Sequence, residues 1–384
     1  MRGEPRATAR ETVFVTISAP RPLLSTFMAT IKPAAPNVDH TDATVRTKRT
    51  RGGPKGLRIT DVAAQAGVSP ITVSRVFNNP ESVAPETLER VRQVVQKLGY
   101  VPNRLAGGLS SARSRLIAAI VPTVSHSLFS ETIQVFSETM SRAGYEVLLA
   151  LSGYSASNEE SLLDAVLSRR PEGVLLTGVA HTDSLRERLR NVGIPVVETW
   201  DMTDTPIDML VGFSHYRIGA AVAGHFLERG VRRPALISAN DARALARRAG
   251  FRERLAQAGI EDVPEELVAP PSSVAVGKRA LPQLIARAKD IDAVFCGSDL
   301  LAIGALGAAR QLGLNVPSQL AICGFGDLEF STETTPQLTT VRVEGTRIGV
   351  NAARFLLDRL SGETHVGERR ALDVGFTIVP REST

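Results

Sequence analysis

The chain has 384 residues, of which 43% are apolar, and its mean hydropathy is +0.01. A chain of this length can bury about two or three apolar cores, and a hydropathy near zero excludes a protein embedded mainly in a membrane. Apolar stretches such as 116–121 and 173–176 are too short to span a bilayer and are typical of buried parallel strands. We therefore expect a soluble protein of several domains that has no membrane partner.

The net charge of +5 is unevenly distributed along the chain. Residues 1–56 contain 10 Lys and Arg against 4 Asp and Glu, residues 57–115 contain 8 against 4, and residues 116–384 contain 27 against 32. This pattern indicates that one end of the chain binds a polyanion while the mildly acidic remainder has another role.

The first 56 residues are rich in Arg, Thr, Ala and Pro and show no sustained helix or strand periodicity. We therefore expect a disordered basic tail over residues 1–56. The apolar patch at 13–19 is interrupted by Thr16 and Ser18 and is too weak for a secretory signal. Translation from Met28, which would remove the first 27 residues, is an open alternative.

The two cysteines, Cys296 and Cys323, each end an apolar strand-like run, where a small buried thiol packs well. They cannot form a disulfide framework in a chain of this length, so we expect a protein of the reduced cytoplasm. The sequence contains no Gly-x-Ser-x-Gly elbow, no P-loop and no Cys/His metal spacing. We therefore expect no enzymatic activity, no cofactor and no bound metal.

Three short helices are predicted in residues 57–102. Thr60 is a candidate N-cap for the first helix, and Gly67 supplies the backbone freedom for a tight turn. Ser69 can cap a second helix, and a third is predicted over 85–98. Two helices joined by a glycine turn within about 20 residues have the spacing of a helix-turn-helix, whose second helix enters the major groove.

Four short segments carry a family signature, namely Asp61-Val62-Ala63, Ala66-Gly67-Val68-Ser69, Thr72-Val73-Ser74-Arg75 and Gly99-Tyr100-Val101-Pro102-Asn103. With them the chain resembles the lactose/galactose repressor family from residue 57 to the C-terminus. The resemblance implies that residues 103–115 are a hinge that forms a helix on operator DNA, where Leu109 would enter the minor groove. Gly107 and Gly108 would weaken that helix away from DNA.

Chemistry and resemblance together predict the DNA contacts. Arg75 can make a bidentate hydrogen bond to guanine, whereas Pro70 and Ile71, at the family's specificity positions, can only read bases through apolar contact. The remaining candidates would contact base edges, phosphates or the minor groove. The complete predicted set is Thr60, Ser69, Pro70, Ile71, Thr72, Ser74, Arg75, Asn78, Tyr100, Asn103, Arg104 and Leu109.

From residue 116 onward, short apolar runs alternate with amphipathic helices, and the pattern repeats after residue 213. This alternation predicts two doubly wound parallel sheets. The resemblance implies a two-lobed core like that of periplasmic binding proteins, with the helix-turn-helix head before it. We expect one lobe over about 116–212 and 342–373 and the other over about 213–341 and 374–384.

Parallel sheets bind ligands at the carboxyl ends of their strands, so two facing lobes would hold a small effector between them. Arg247, placed in a helix predicted over 247–258, matches the family's effector-binding arginine, and Arg243 lies in the loop predicted before it. Polar and aromatic residues at the other strand ends complete the predicted site, which is Ser125, His126, Phe129, His181, Glu198, Trp200, Asp201, Arg243, Arg247, Ser298 and Asp327.

A pair of arginines suits a carboxylate. Many sugar-binding members of the family have Asn where this chain has Ser298 and Asp where it has Gly326, which disfavours a neutral sugar. The segments Gly153-Tyr154, His181-Thr182, Pro195-Val196-Val197-Glu198 and Ile207-Asp208 resemble the gluconate-utilisation repressor branch. We therefore hypothesise that the effector is gluconate or a keto or phosphorylated relative, with a neutral sugar or another metabolite as the alternative.

The resemblance implies allosteric control of a homodimer on a pseudo-palindromic operator, in which effector binding changes the affinity for DNA. We expect a dimer because the sequence ends within the core and carries no appended coiled coil for tetramers. Whether the effector acts as inducer or corepressor stays open. A periplasmic-type solute-binding protein is a remote alternative, since it would have no use for a DNA-binding head.

Overall fold

The computed structural model describes residues 57–100, 113–124, 127–363 and 370–384, together with a short strand at Phe14–Ile17. The described residues belong to two compact units, a helical head that begins at residue 57 and an α/β core from residue 115 onward. The remainder of the 1–56 segment and most of the predicted hinge lie outside the described residues.

The head consists of three helices, α1 (Ile59–Ala66), α2 (Pro70–Asn78) and α3 (Pro85–Leu98), with a 3-10 turn at Pro80–Ser82. Gly67 ends α1 with a φ of 65°, a left-handed conformation that a residue without a Cβ adopts at little cost. The helix-turn-helix arrangement and the bounds of α3 therefore agree with the prediction.

Apolar side chains from all three helices form the core of the head: Val62, Ala63, Ala66, Val73, Val76, Val91 and Tyr100. One local prediction for the head was wrong, because Thr60 is not the N-cap of α1. The helix begins at Ile59 with Arg58 as its N-cap, two residues earlier, and the backbone N–H of Arg58 donates to Oδ2 of Asp61 at 2.8 Å. Thr60 therefore lies in the first turn, on the exposed side.

The described strands of the core are β1 (Phe14–Ile17), β2 (Leu116–Val121), β3 (Glu146–Leu151), β4 (Gly173–Thr177), β5 (Val196–Thr199), β6 (Met209–Gly212), β7 (Pro234–Ala239), β8 (Glu265–Val268), β9 (Ala293–Cys296), β10 (Ala321–Cys323), β11 (Thr340–Arg342), β12 (Arg370–Asp373) and β13 (Thr377–Val379). The described helices are α4 (Ser127–Arg142), α5 (Ala156–Leu167), α6 (Asp183–Val192), α7 (His215–Glu228), α8 (Ala242–Ala256), α9 (Val274–Arg287), α10 (Asp299–Gln311) and α11 (Gly345–Ser361).

The first lobe contains a sheet with the strand order β1-β3-β2-β4-β5-β6-β12, and the second contains a sheet with the order β10-β9-β7-β8. Within these two sheets all neighbouring strands are parallel except β1, which pairs antiparallel with β3. The expectation that residues 1–56 lack regular structure was therefore wrong for the four residues of β1.

Both faces of each sheet are buried. In β2, Ile117 and Ala119 belong to one apolar cluster while Ala118 and Ile120 belong to another. In β7, Leu236 likewise packs on the opposite face from its neighbours in the strand. Burial on both faces is typical of parallel sheets covered by helices on both sides, and it confirms the predicted doubly wound core.

The chain passes between the lobes three times. It leaves the first sheet after β6, returns through α11 to add β12 at the sheet edge, and then leaves again to pair β13 with β11. Ion pairs and hydrogen bonds fix these connections: Arg217 contacts Asp373 at 3.2 Å, and Arg347 donates to the carbonyl of Val374 at 3.2 Å. The lobes are therefore linked at one side and face each other at the strand ends.

Two glycines allow α7 and α8 to cross at very short distance. A Cβ on Gly219 would lie 1.8 Å from the carbonyl oxygen of Arg247, and a Cβ on Gly250 would lie 1.9 Å from that of Tyr216. Since neither position can carry a side chain at this spacing, the glycines set how closely the start of α7 approaches Arg247.

Within the described part of the chain, no helix is both long enough and apolar enough to cross a membrane. The same residues contain no group of three or more His, Cys, Asp or Glu that could hold a metal ion. Both cysteines are buried as free thiols at the ends of β9 and β10, in agreement with the prediction for Cys296 and Cys323.

Candidate functional site

The exposed face of α2 is the candidate DNA-reading surface of the head. Pro70, Ile71 and Arg75 are exposed, and Ile71 is 65% exposed although it is a large apolar residue. On the opposite face, Val73 and Val76 are buried. An apolar side chain left in water on a reading helix is available for contact with a thymine methyl, and Arg75 beside it is available for guanine.

Most hydroxyl and amide groups predicted to contact DNA already have local partners. Ser69 Oγ accepts a hydrogen bond from the backbone N–H of Thr72 at 3.1 Å and therefore caps α2. Asn78 Nδ2 donates to Ser74 Oγ at 3.2 Å. Tyr100 is only 9% exposed and belongs to the core of the head, so its ring is structural rather than a reading group.

Several predicted contacts lie outside the described residues. In the predicted hinge these are Asn103, Arg104 and Leu109, and in the core they are Ser125 and His126. Their roles stay predictions.

The candidate effector site consists of two adjoining cavities at the strand ends between the lobes. The smaller cavity, of about 60 Å³, is lined by aromatic and basic residues from both lobes, among them Phe129, Trp200, Arg247 and Phe325. The larger, of about 320 Å³, is lined mainly by polar residues such as His181 and Asp201. Tyr154, Asp241 and Arg243 line both cavities, so we treat them as one cleft.

The two arginines of the cleft lie on one helix. The helix begins earlier than predicted, so Arg243 is not in a loop. Helix α8 begins at Ala242 and is capped by Asp241, whose Oδ1 accepts from the N–H of Ala244 at 3.2 Å. Arg243 and Arg247 are therefore four residues apart within α8, which puts them on the same face. Asp241 also lines the cleft, so the cap places one carboxylate beside the arginines.

Arg247 is buried, with 6% of its surface exposed. Its Nη1 donates to Nδ1 of His215 at 2.7 Å, its Nη2 donates to the carbonyl of Gly297 at 3.1 Å, and the guanidinium lies 4.3 Å from the ring centre of Phe325. Burial lowers the pKa of Arg247 to about 10. Its buried Nε has no hydrogen-bond partner among the described residues.

Arg243 faces the first lobe. Its guanidinium lies 5.1 Å from the ring centre of Phe129, and its buried Nη1 has no hydrogen-bond partner within the described residues. In the described part of the chain, neither arginine of the cleft has a carboxylate within ion-pair distance. Burial raises the pKa of Asp201, and the nearby charges of Arg243 and Arg247 act in the opposite direction.

Aromatic residues line the smaller cavity. Trp200 is 3% exposed and packs edge-on against Phe129 at 5.1 Å and against Phe213 at 5.7 Å. Its φ of 66° is unusual for a large side chain and costs about 1–2 kcal/mol. Such a conformation persists only where its surroundings hold it, and Trp200 lines the cleft.

Other predicted effector residues have structural partners. Ser298 lines the cleft, and its Oγ caps α10 by accepting from the N–H of Leu301 at 3.3 Å. His181 lines the larger cavity, where its Nδ1 contacts Oε2 of Glu159 at 2.9 Å and its Nε2 contacts the carbonyl of Gly178 at 3.0 Å.

Two predicted effector residues lie inside the lobes and do not line the cleft. Glu198 is fully buried, and its carboxylate accepts from the N–H of Ile207 and pairs with Arg186 at 3.4 Å. Asp327 forms ion pairs with Arg342 and Arg381, which tie together the crossing segments of the second lobe. These two assignments were therefore wrong, because both carboxylates are used in pairs within the protein.

The structure adds cleft residues that the sequence prediction missed. They are Tyr154, His215, Ser272 and Phe325. Tyr154 follows β3 by three residues and Phe325 follows β10 by two, so the rule that ligands bind at strand ends could have found both. His215 begins a helix, and nothing in its local sequence indicates that it would face Arg247.

Comparisons with known proteins agree with both units. Residues 58–103 match the model of the bacterial regulatory proteins, lacI family, and residues 223–384 match a periplasmic binding protein-like domain. The chain is 41% identical over 341 residues to the HTH-type transcriptional regulator GntR of Pseudomonas aeruginosa, with 88% of this chain and 98% of the relative covered.

Solved structures agree as well. A LacI family transcriptional regulator from Silicibacter pomeroyi matches with a TM-score of 0.79 and 32% identity, over 85% of this chain and 99% of that one. The transcription regulator GntR from Chromobacterium violaceum matches with a TM-score of 0.66 and 39% identity, over 70% of this chain and 98% of that one.

A helix-turn-helix head followed by a two-lobed core with a ligand-sized cleft defines a DNA-binding transcriptional regulator. The chain belongs to the lacI family of bacterial regulatory proteins.

Proposed function

We propose that this regulator senses a sugar acid, gluconate or a related aldonate, and that the effector controls its affinity for operator DNA. The observation that carries the proposal is the pair of cleft arginines. Arg243 Nη1 and Arg247 Nε are buried nitrogens without a hydrogen-bond partner in the described residues. A buried donor without a partner costs about 1–3 kcal/mol, more when charged, and an anionic ligand would remove that cost.

The rest of the cleft supports a polyhydroxylated anion. Carboxylates accept hydrogen bonds from sugar hydroxyls, and Asp201 and Asp241 lie beside the arginines. Trp200 and Phe129 offer the apolar surface on which a sugar chain packs. In this proposal the effector carboxylate contacts Arg243 and Arg247, while Asp201, Ser298 and the undescribed His126 read hydroxyls.

The relatives agree with the class but leave the ligand open. Similar regulators carry the name GntR in Pseudomonas aeruginosa and in Chromobacterium violaceum, and several segments of this chain resemble the gluconate-utilisation branch. The proposal of a sugar acid therefore depends on the arginine pair, and a titration of ligand affinity tests it.

We also propose that two copies of the chain bind a pseudo-palindromic operator, each through the exposed face of α2. Arg75 would read guanine, and Ile71 and Pro70 would make apolar base contacts. Cleft closure on the effector would move the lobes and change the hinge, which couples the two sites.

Isothermal titration of the full-length protein tests the ligand. We expect gluconate to bind and the matched neutral sugar, glucose, to bind at least about tenfold more weakly, since it cannot pair with the arginines. Titrations with phosphorylated and keto aldonates in the same series show which of these compounds binds most tightly. Tight binding of a neutral sugar or a purine with no binding of any aldonate would reject the sugar-acid proposal.

An operator-binding assay with and without the bound effector then gives the sign of the response. Loss of DNA affinity identifies an inducer, and gain identifies a corepressor. An effector that binds the protein but leaves operator affinity unchanged would contradict the proposed coupling.

A further inference from the structure

His215, which the sequence prediction missed, makes hydrogen bonds with both lobes. At the start of α7, its Nε2 contacts the carbonyl oxygen of Trp200 at 2.9 Å, at the strand end of the first lobe. Its Nδ1 contacts Nη1 of Arg247 at 2.7 Å, on α8 of the second lobe. The side chain is 2% exposed.

The two partners fix the state of the imidazole. A backbone carbonyl can only accept a hydrogen bond, so Nε2 of His215 must carry the proton. A guanidinium can only donate, so Nδ1 must offer its lone pair to Arg247. Burial, together with the charges of Arg247 and Arg243, lowers the pKa of His215 well below its usual value. The ring is therefore neutral, with one defined tautomer.

The geometry around His215 fixes the direction of Arg247. Nη1 and Nη2 of Arg247 are held by His215 and by the Gly297 carbonyl, and Phe325 covers the guanidinium face. Of the three guanidinium nitrogens, Nε then remains without a partner in the described residues. The close crossing of α7 and α8 at the two glycines brings His215 within reach.

The same ring also holds Trp200 in place. The carbonyl that His215 binds belongs to the residue with the left-handed φ of 66°. His215 packs against Phe213, which in turn packs against the Trp200 ring. A strained backbone of this kind needs support from its neighbours, and His215 supplies a hydrogen bond at that point.

We infer that His215 is a positioning residue for effector binding: as a neutral acceptor it holds Arg247 toward the cleft, and as a donor to Trp200 it links that arginine to the opposite lobe. The inference rests on the proposed function for the anion that Arg247 binds. It assigns to His215 a part in selecting an anionic ligand, although the imidazole itself need not touch that ligand.

The test compares two substitutions at this position in the full-length protein. His215→Phe keeps the ring and its aromatic contacts but removes both hydrogen bonds, whereas His215→Gln keeps one donor and one acceptor. Trp200 is the single tryptophan of the chain, so its fluorescence reports the cleft directly in a gluconate titration. We expect His215→Phe to weaken gluconate binding by about tenfold or more and His215→Gln to restore most of it.

A matched control lies on the same helix. His225 is buried and contacts Thr384 Oγ1 at 2.9 Å, away from the cleft. His225→Phe should leave the gluconate affinity and the Trp200 emission of the free protein unchanged, whereas His215→Phe should shift that emission. Unchanged gluconate affinity in His215→Phe would overturn the inference. If His215→Phe and His215→Gln are both folded and lose gluconate affinity equally, the inference is overturned as well.

A measurement without ligand separates this inference from the proposed function. Long-range nitrogen spectra of the histidine-labelled full chain, assigned with His215→Phe, should show the Nε2–H tautomer at pH 7. Arg247→Met should change the chemical shift of His215 Nδ1, because it removes the donor at that nitrogen. The Nδ1–H tautomer or a charged ring would overturn the inference even if gluconate binds, and failure of gluconate to bind with the expected tautomer present would reject only the sugar-acid proposal.

Discussion

The recognition helix and the effector cleft present arginine in opposite ways. Arg75 on α2 is exposed, whereas Arg247 in the cleft is 6% exposed. The guanidinium of Arg75 can be solvated until DNA replaces the water. Arg247 has an aromatic ring on one face, a neutral imidazole beside it and a buried nitrogen without a partner in the described residues.

The difference separates two kinds of recognition. A DNA-reading side chain gains modest energy per contact, and affinity accumulates over many exposed groups and phosphates. A buried arginine gains more from a single partner, since its desolvation has already been imposed by folding. We therefore expect a single substitution in the cleft to lower gluconate affinity more than a single substitution on α2 lowers operator affinity.

Arg247→Met should give the largest effect. The substitution keeps much of the volume and removes the charge, and we expect gluconate affinity to fall by about 100-fold or more, since loss of one partner of a buried charged pair costs about 2–5 kcal/mol. Calorimetry measures the loss, and operator affinity without effector should stay within about threefold.

The neighbouring arginine provides the control. Arg248 pairs with Glu265 at 2.6 Å on the outer side of α8, so Arg248→Met should leave gluconate binding intact. Equal losses in the two variants would show that the helix, and not the cleft guanidinium, was disturbed.

Arg75→Ala should give the next largest effect, on the other side of the comparison. Loss of a bidentate guanine contact costs about 1–3 kcal/mol, so we expect operator affinity to fall by about tenfold or more while non-specific DNA binding changes little. Gluconate binding should be unchanged. Arg90→Ala, at an exposed position of α3, is the control, and loss of effector binding in Arg75→Ala would indicate misfolding.

The pH dependence of stability should give the smallest effect. The pKa of His215 is lowered by burial and by the charges of Arg247 and Arg243, so the unfolded chain binds the proton more readily. Stability from this group is complete above the unfolded pKa of about 6.5 and is lost as the pH falls below it. The melting temperature of the natural protein should therefore decrease, relative to His215→Phe, between pH 7.5 and pH 5.

The comparison with His215→Phe is needed because several buried carboxyls have pKa values raised by desolvation, and these groups change the stability with pH in the opposite direction. They are Glu198, Asp201, Asp208 and Asp299. Both variants contain them, so their contributions cancel in the difference. A constant difference across the pH range would contradict a neutral, buried His215.

The sequence by itself determined the order and kind of the elements. Helix α3 and strand β2 have the predicted bounds, because their apolar patterns are local signals. The same holds for the turn at Gly67, which a single residue type requires. Arg75 is exposed on α2, as local helix periodicity predicts.

Only the tertiary structure decided which polar groups of the core are available to a ligand. Glu198 lies within β5 near its carboxyl end and Arg247 faces the strand ends, yet Glu198 pairs with Arg186 while Arg247 has only neutral hydrogen-bond partners. His215 meets its partners 15 and 32 residues away. Local periodicity cannot encode such pairings, because they depend on how closely α7 and α8 cross and on how the two lobes face each other.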